Sequence, residues 1–215
     1  MSAQPAKIPE RVKLDGRYAR LEPIGLQHAA DLFRAARDGD AAQRFTYLFD
    51  HQPQSESEIA AYIISASSKV DPVMWAIVDK ATGRAEGRQS LLRITPEHAT
   101  IEIGNIYWGP RMARTRVATE ALYLHARHVF DVLGYRRFEW KCNDLNEPSK
   151  AAARRFGFTF EGVFRQHMIV KGNSRDTAWF AMLDGDWPAI RAEFERWLDP
   201  SNFDADGSQK TKLRH

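Results

Sequence analysis

Cysteine occurs once in the 215 residues, at Cys142. A lone thiol excludes an intrachain disulfide and leaves a structural zinc site without a second sulfur, so no metal is expected. Long apolar runs are also missing. Nowhere does the chain approach the roughly 20 apolar residues of a membrane span, and the opening MSAQPAKIPE holds no such run. The expectation is a cytoplasmic protein with no membrane contact. Charge of one sign is scarce: Lys and Arg number 31 against 28 Asp and Glu, a formal net charge of +3. That balance by itself predicts no nucleic-acid partner. Glycine is missing where a phosphate-binding turn would use it. The stretch WGPRMARTRVATEA, residues 108–121, reads as a strand end entering a helix, yet beyond Gly109 its turn holds Arg111, Arg114 and Arg116.

What is present supports one sizeable core, since 43% of the residues are hydrophobic. The expected organisation is an N-terminal extension over 1–13, one domain over 14–198 and a polar, disordered tail over 199–215. Residues 17–24 alternate as a half-buried strand. LQHAADLFRAARDG puts Leu26, Ala29, Ala30 and Phe33 on one helical face, with Gly39 as the stop. Ser55 followed by Glu58 has capping-box spacing ahead of Ile59, Tyr62 and Ile63. The β-rich runs 73–79 and 86–94 flank Thr82-Gly83 as a hairpin, and 99–108 continues the meander.

VATEALYLHARHVFDVLG predicts a helix of about four or five turns ending at Gly134, followed by the strand YRRFEWKCN. A strand, a helix and a strand in one sheet form a βαβ unit, so these two strands run parallel within an otherwise antiparallel sheet. NEPSKAAARRFGF is a short helix with Pro148 in its first turn and Gly157 at its end. A hairpin around Lys171-Gly172-Asn173 follows, and residues 187–198 close as a helix packing Trp187, Ile190, Phe194 and Trp197. The fold class is therefore α/β with a mixed, mostly antiparallel sheet, a central parallel strand pair and flanking helices.

ATEAL at 118–122, the Asn146 and Ser149 pair, RRFGF at 154–158 and the hairpin GVFRQHMIVKG stand in an informative order. Together they resemble the GNAT-type N-acetyltransferase superfamily, specifically its RimJ/RimL-like branch, over about residues 14–198. The resemblance implies a GNAT-like fold and acetyl-CoA as cosubstrate, bound where the parallel strands 101–108 and 136–143 splay apart. It also implies acetyl transfer to an amine, either a peptide N-terminus or a small molecule. The CoA pyrophosphate then belongs at Ala113, Arg114, Thr115, Arg116, Val117 and Ala118, and Asn146 holds a pantetheine amide. By the same resemblance Ser149 protonates the departing thiolate, and Glu102 is the base.

Both customary glycine places of that turn are arginine, Arg114 and Arg116. The expectation is a turn that keeps negative φ and adds guanidinium forks to its N–H groups. Thr115 is the only plausible side-chain cap, and Ala118 gives it no capping-box partner, which leaves the helix end to a ligand. An amine must be neutral to attack, so a proton acceptor is needed. Glu102 and His167 are the candidates, with a salt bridge and a hydrogen-bonding hairpin residue as their structural alternatives. Asn146 and Ser149 also suit an N-cap and a first turn. Cys142 alternates with Phe138 and Trp140, which favours an inert buried thiol and direct transfer in a ternary complex over an acetyl-cysteine intermediate. Phe45, Tyr47 and Trp75 line an acceptor pocket or belong to the core. A monomer or homodimer is expected. Two other classes stay open: an acyl-CoA-binding sensor or scaffold without catalysis, and a nucleic-acid-binding protein using Arg111, Arg114, Arg116, Arg136 and Arg137.

Overall fold

The run VMWAIV offers no polar side chain to solvent, and in the computed structural model, which describes residues 5–214, it forms a strand buried on both faces. The elements in chain order are β1 (Leu14–Asp15), β2 (Ala19–Pro23), α1 (Ala29–Arg37), α2 (Ala41–Arg44), α3 (Glu56–Ser67), β3 (Val73–Asp79), β4 (Arg84–Thr95) and β5 (Thr100–Trp108). They continue as α4 (Arg116–Arg127), β6 (Arg137–Asn143), α5 (Glu147–Arg155), β7 (Thr159–Val170), β8 (Asn173–Leu183) and α6 (Trp187–Leu198). The strands are hydrogen-bonded in the order β1-β2-β3-β4-β5-β6-β8-β7. The sheet is mostly antiparallel with β5 and β6 as its parallel pair, which is the expected mixed α/β class.

The described chain divides into two compact units, and β5 contributes residues to each. One unit comprises residues 8–94 and 103–125. Its β2, β3 and β4 are antiparallel neighbours, with Leu21 opposite Ile77 and Trp75 opposite Gln89. Met74, Ala76 and Val78 pack with Leu32 of α1 and with Ile59 and Ile63 of α3. On the other face of β3, Trp75 meets the His125 ring of α4 edge-on at 4.7 Å and donates from Nε1 to the Val12 carbonyl at 2.8 Å. The buried face of α1 is Ala29, Leu32, Ala35 and Ala36, not the expected set, since Leu26 is 56% exposed and Ala30 is also exposed. The reason is the start: Leu26–His28 forms a 3-10 turn, which rotates the α-helix that follows.

The other unit comprises residues 5–7, 95–102 and 126–214. Phe138, Trp140 and Cys142 of β6 are buried on one face, where Trp140 lies against Phe156 and Phe158 and Phe156 stacks on Phe194 of α6. The opposite face of β6 carries Arg137, Glu139 and Lys141. Lys171 and Gly172 both have positive φ, 49° and 78°, a pairing that suits a tight hairpin between β7 and β8. Residues 199–214 are folded, where a disordered tail was expected. Phe203 sits edge-on to Trp197 at 5.0 Å, Trp197 Nε1 donates to Gln209 at 2.9 Å, and Leu213 is 7% exposed. Two apolar anchors in a polar stretch are enough to order it against α6.

Candidate active site

The turn into α4 starts at Gly109, whose N–H donates to the Glu86 carbonyl at 2.8 Å. A Cβ at Gly109 would come within 2.6 Å of that carbonyl oxygen, so the close approach requires glycine. The chain then bends back, with the Met112 and Ala113 N–H groups donating to the Gly109 carbonyl. Arg114 takes φ 65°, a left-handed conformation that glycine adopts without steric cost. The expectation of a turn held at negative φ is therefore wrong: an arginine adopts a conformation that favours glycine. That conformation costs a non-glycine residue roughly 1–2 kcal/mol.

Thr115, read as the one side chain able to cap this helix, does so without a capping-box partner, so the helix end is not left wholly to a ligand. Its Oγ1 accepts from the Val117 N–H at 3.2 Å and donates to the Met112 carbonyl at 2.7 Å. The first turn of α4 carries no acidic residue. Val117 and Ala118 are buried through their side chains, while Ala113 is half-buried. The three arginines have separate surroundings. Arg111 Nε donates to Asp38 at 2.6 Å, the Arg116 guanidinium lies 4.4 Å from the Tyr18 ring centroid, and Arg114 is exposed. The hydrogen bond from Arg111 holds the Asp38 carboxyl below its ordinary range.

In the other unit, the Asn146 Oδ1 accepts from the Ser149 N–H at 3.1 Å and caps α5, with Pro148 in its first turn. Ser149 Oγ accepts from Trp140 Nε1 at 3.0 Å. Cys142 lies on the same buried face, and burial pushes its thiol above the ordinary range, which fits the inert reading.

Glu102 is 4% exposed and pairs through Oε2 with Lys141 Nζ at 2.9 Å. Lys141 also binds Glu139 at 2.6 Å and lies 3.8 Å from the Trp179 ring centroid. Glu139 in turn meets Arg137 at 2.7 Å, and Arg137 reaches Glu161 at 2.5 Å. Burial alone would push the Glu139 carboxyl up, but hydrogen bonds and charge from Lys141 and Arg137 hold it below its usual range. Glu102 is thus the end of a chain of alternating charges and not a solitary buried carboxylate. Lys141 was not anticipated. A charge on β6 at even spacing with Arg137 and Glu139 was the available signal, and it reads equally well as a solvated face.

The remaining candidates resolve toward structure. His167 Nδ1 is 3.0 Å from Thr177 Oγ1, the hairpin hydrogen bond that was the alternative reading. Phe45 stacks on Tyr107 at 4.7 Å and Trp75 is fully buried, so both are core, while Tyr47 is half-buried. A cavity of about 170 Å³ lies instead beside Asp50, Tyr62, Met74 and Asn105. Behind it the buried Arg88 donates to Asp50, to the Tyr62 hydroxyl at 2.7 Å and to the Asn105 carbonyl at 3.1 Å. Asn105 bends β5 at this point with φ 50°. An arginine within the apolar end of β4 was visible in the sequence, but its partners are distant in the chain.

Residues 19–159 match the family model for the acetyltransferase (GNAT) domain. The chain is 52% identical to a GCN5-related N-acetyltransferase from Brucella melitensis, covering 99% of this chain and 96% of that one, with a TM-score of 0.96. It is 35% identical to a probable GNAT-family acetyltransferase from Chromobacterium violaceum, over 87% and 93% of the two chains, with a TM-score of 0.79. RimL, a ribosomal L7/L12 α-N-protein acetyltransferase, shares the fold at 21% identity over 80% and 94%, with a TM-score of 0.69. No curated protein matches the chain.

Proposed function

Because the chain belongs to the GNAT acetyltransferase family, and is an acyltransferase, we propose that it moves an acetyl group from acetyl-CoA directly to a primary amine in a ternary complex. The observation that carries this reading is the turn into α4. It has a left-handed residue at Arg114, has no acid in the first helical turn, and places a cation on it. The residues present therefore suit a pyrophosphate, received at the positive end of α4 and by the exposed Arg114. Glu120, the acid nearest along the helix, does not oppose this, since its carboxylate is consumed by backbone N–H groups of residues 17–19.

In this reading the thioester supplies the acetyl group, Asn146 orients the arm that bears it, and Ser149 gives a proton to the leaving sulfur. Glu102 is already paired with Lys141, so the amine loses its proton through water with Glu102 as the charge that draws it. The acceptor is a peptide N-terminus, as RimJ/RimL kinship suggests, or a compact monoamine. A polyamine would want an acidic cleft, whereas the cavity places Lys69 and the Arg88-bound Asp50 in its surroundings. Of the five arginines read as a basic set, Arg111 is paired with Asp38 and Arg137 with Glu139 and Glu161, which weakens the nucleic-acid reading.

Thermal melting with acetyl-CoA, CoA and longer acyl-CoAs tests the donor before any acceptor is known. Acetyl-CoA at about a hundredfold excess over Kd should raise Tm by about 5–10 °C. No shift with any of them sinks the reading, and a shift without turnover on a panel of amines leaves an acyl-CoA sensor. Ser149→Ala is expected to keep the shift while lowering kcat roughly tenfold or more. Arg114→Ala and Arg116→Ala should shrink the shift, and an unchanged shift in both removes them from the site. Arg114→Gly separates charge from strain: it should raise the ligand-free stability by about 0.5–1 kcal/mol while losing acetyl-CoA affinity.

A further inference from the structure

Trp140 and Ser149 meet on the buried face of β6, where the indole Nε1 donates to Ser149 Oγ at 3.0 Å. An indole N–H has no acceptor capacity, so the direction of this bond is fixed and one lone pair of Oγ is committed to it. The serine hydrogen is then left to be given away. Ser149 is held from the backbone as well, by its N–H to the Asn146 Oδ1. Its other close neighbour is the Cys142 sulfur, a neutral thiol and a weak hydrogen-bond partner in either role. Trp140 thus aims the hydroxyl while Asn146 holds the backbone beneath it, and the indole bond is more than a first-turn serine needs for helix formation.

We propose that Trp140 is a positioning residue for protonation of the leaving thiolate, acting through Ser149; the proposal rests on the acetyltransferase reading above. The amine nitrogen attacks the acetyl carbonyl carbon, and the C–N bond forms. As the C–S bond breaks, its electron pair goes to sulfur and the Ser149 hydroxyl proton follows. The serine oxygen regains a proton from solvent water that has taken up the one shed by the amine. The products are an amide and a free thiol. Negative charge builds on Oγ during the transfer, where the Trp140 N–H already points. A hydrogen bond to a charged atom is about twice as strong as one to a neutral atom, so the indole favours the transition state over the ground state.

Trp140→Phe keeps an aromatic ring in the core and removes the donor side of the pair together with part of the indole volume. With glycinamide as acceptor, kcat for CoA release should fall roughly tenfold, the fold-change of one charged hydrogen bond, with KM for acetyl-CoA within about twofold. The double variant with Ser149→Ala should be no slower than the slower single variant, because both act on one proton. Full kcat in a folded Trp140→Phe, or losses that multiply in the double variant, would overturn the proposal. If Trp140→Phe melts below the assay temperature, Ser149→Ala carries the test. The Trp140 indole N–H resonance must then move when Oγ is removed, and kcat must fall; an unmoved resonance overturns the proposal. If the unsubstituted enzyme releases no CoA with glycinamide and acetyl-CoA leaves Tm unchanged, the transferase reading fails and takes this inference with it. A raised Tm without release keeps the donor reading and overturns the inference alone.

Discussion

Lys141→Met is expected to destabilise the protein by about 3–5 kcal/mol at pH 7, the cost of breaking a buried ion pair by removing one partner. Methionine matches the length of the lysine stem, so the loss reports charge and not volume. Lys141 is 4% exposed through its side chain and sits between Glu102 and Glu139, at 5% and 14%. Without it Glu102 loses the partner at its Oε2, and Glu139 keeps Arg137. The pH dependence has a definite sign. In the parent, Glu139 titrates below its ordinary value, so its contribution is present above the unfolded carboxylate pKa and lost as pH falls through the lower folded one. In the variant Glu139 keeps its burial but loses the hydrogen bond and charge of Lys141, so its carboxyl shifts upward and protonation relieves it. The gap between parent and variant should therefore narrow as pH falls from 7 toward about 5. Urea unfolding at both pH values checks this, and a gap that does not change with pH would refute the account of Lys141 as their shared cation.

The elements that apolar period and caps define were legible along the chain. Ser55 accepts from the Glu58 N–H as its spacing predicts, and α6 buries Trp187, Ile190, Phe194 and Trp197 on the expected face. Cys142 alternates with Phe138 and Trp140 into the core as read. What failed depends on partners far away in sequence. Leu26 belongs to a 3-10 turn because the Gly25 carbonyl accepts from the His28 N–H, a detail no 3.6-residue period carries. The final residues looked polar, yet Phe203 and Leu213 are enough to dock them. The arginine turn shows the limit most clearly. The glycine places were identified, but the substitution was expected to change the backbone, whereas Arg114 keeps φ 65° within a turn fixed from Gly109 through Thr115. Local propensity gave way to hydrogen bonds that over-determine the conformation.

Glu120→Ala should cost about 3–5 kcal/mol, since it leaves up to three N–H donors without an acceptor at roughly 1–3 kcal/mol each. Glu120 is the acid of the ATEAL stretch and is 5% exposed, and its two carboxylate oxygens accept from Arg17, Tyr18 and Ala19 at 2.9, 2.5 and 2.6 Å. It therefore ties the turn between β1 and β2 to α4. That tie explains Gly16: a Cβ there would lie 2.5 Å from the Glu120 carboxylate, so Gly16→Ala should loosen the same turn without touching a charge. The consequence extends to the candidate site. Tyr18, held by this clamp, supports the Arg116 guanidinium, so loosening residues 17–19 should also weaken acetyl-CoA binding although Glu120 is not proposed to touch the ligand. Glu120→Gln, which keeps one carbonyl acceptor, should show a smaller loss of both stability and affinity. Amide exchange at Arg17, Tyr18 and Ala19 is the direct readout: faster exchange in Glu120→Ala and Gly16→Ala alike is expected, and unchanged protection would show that the motif acid serves the helix and not the turn.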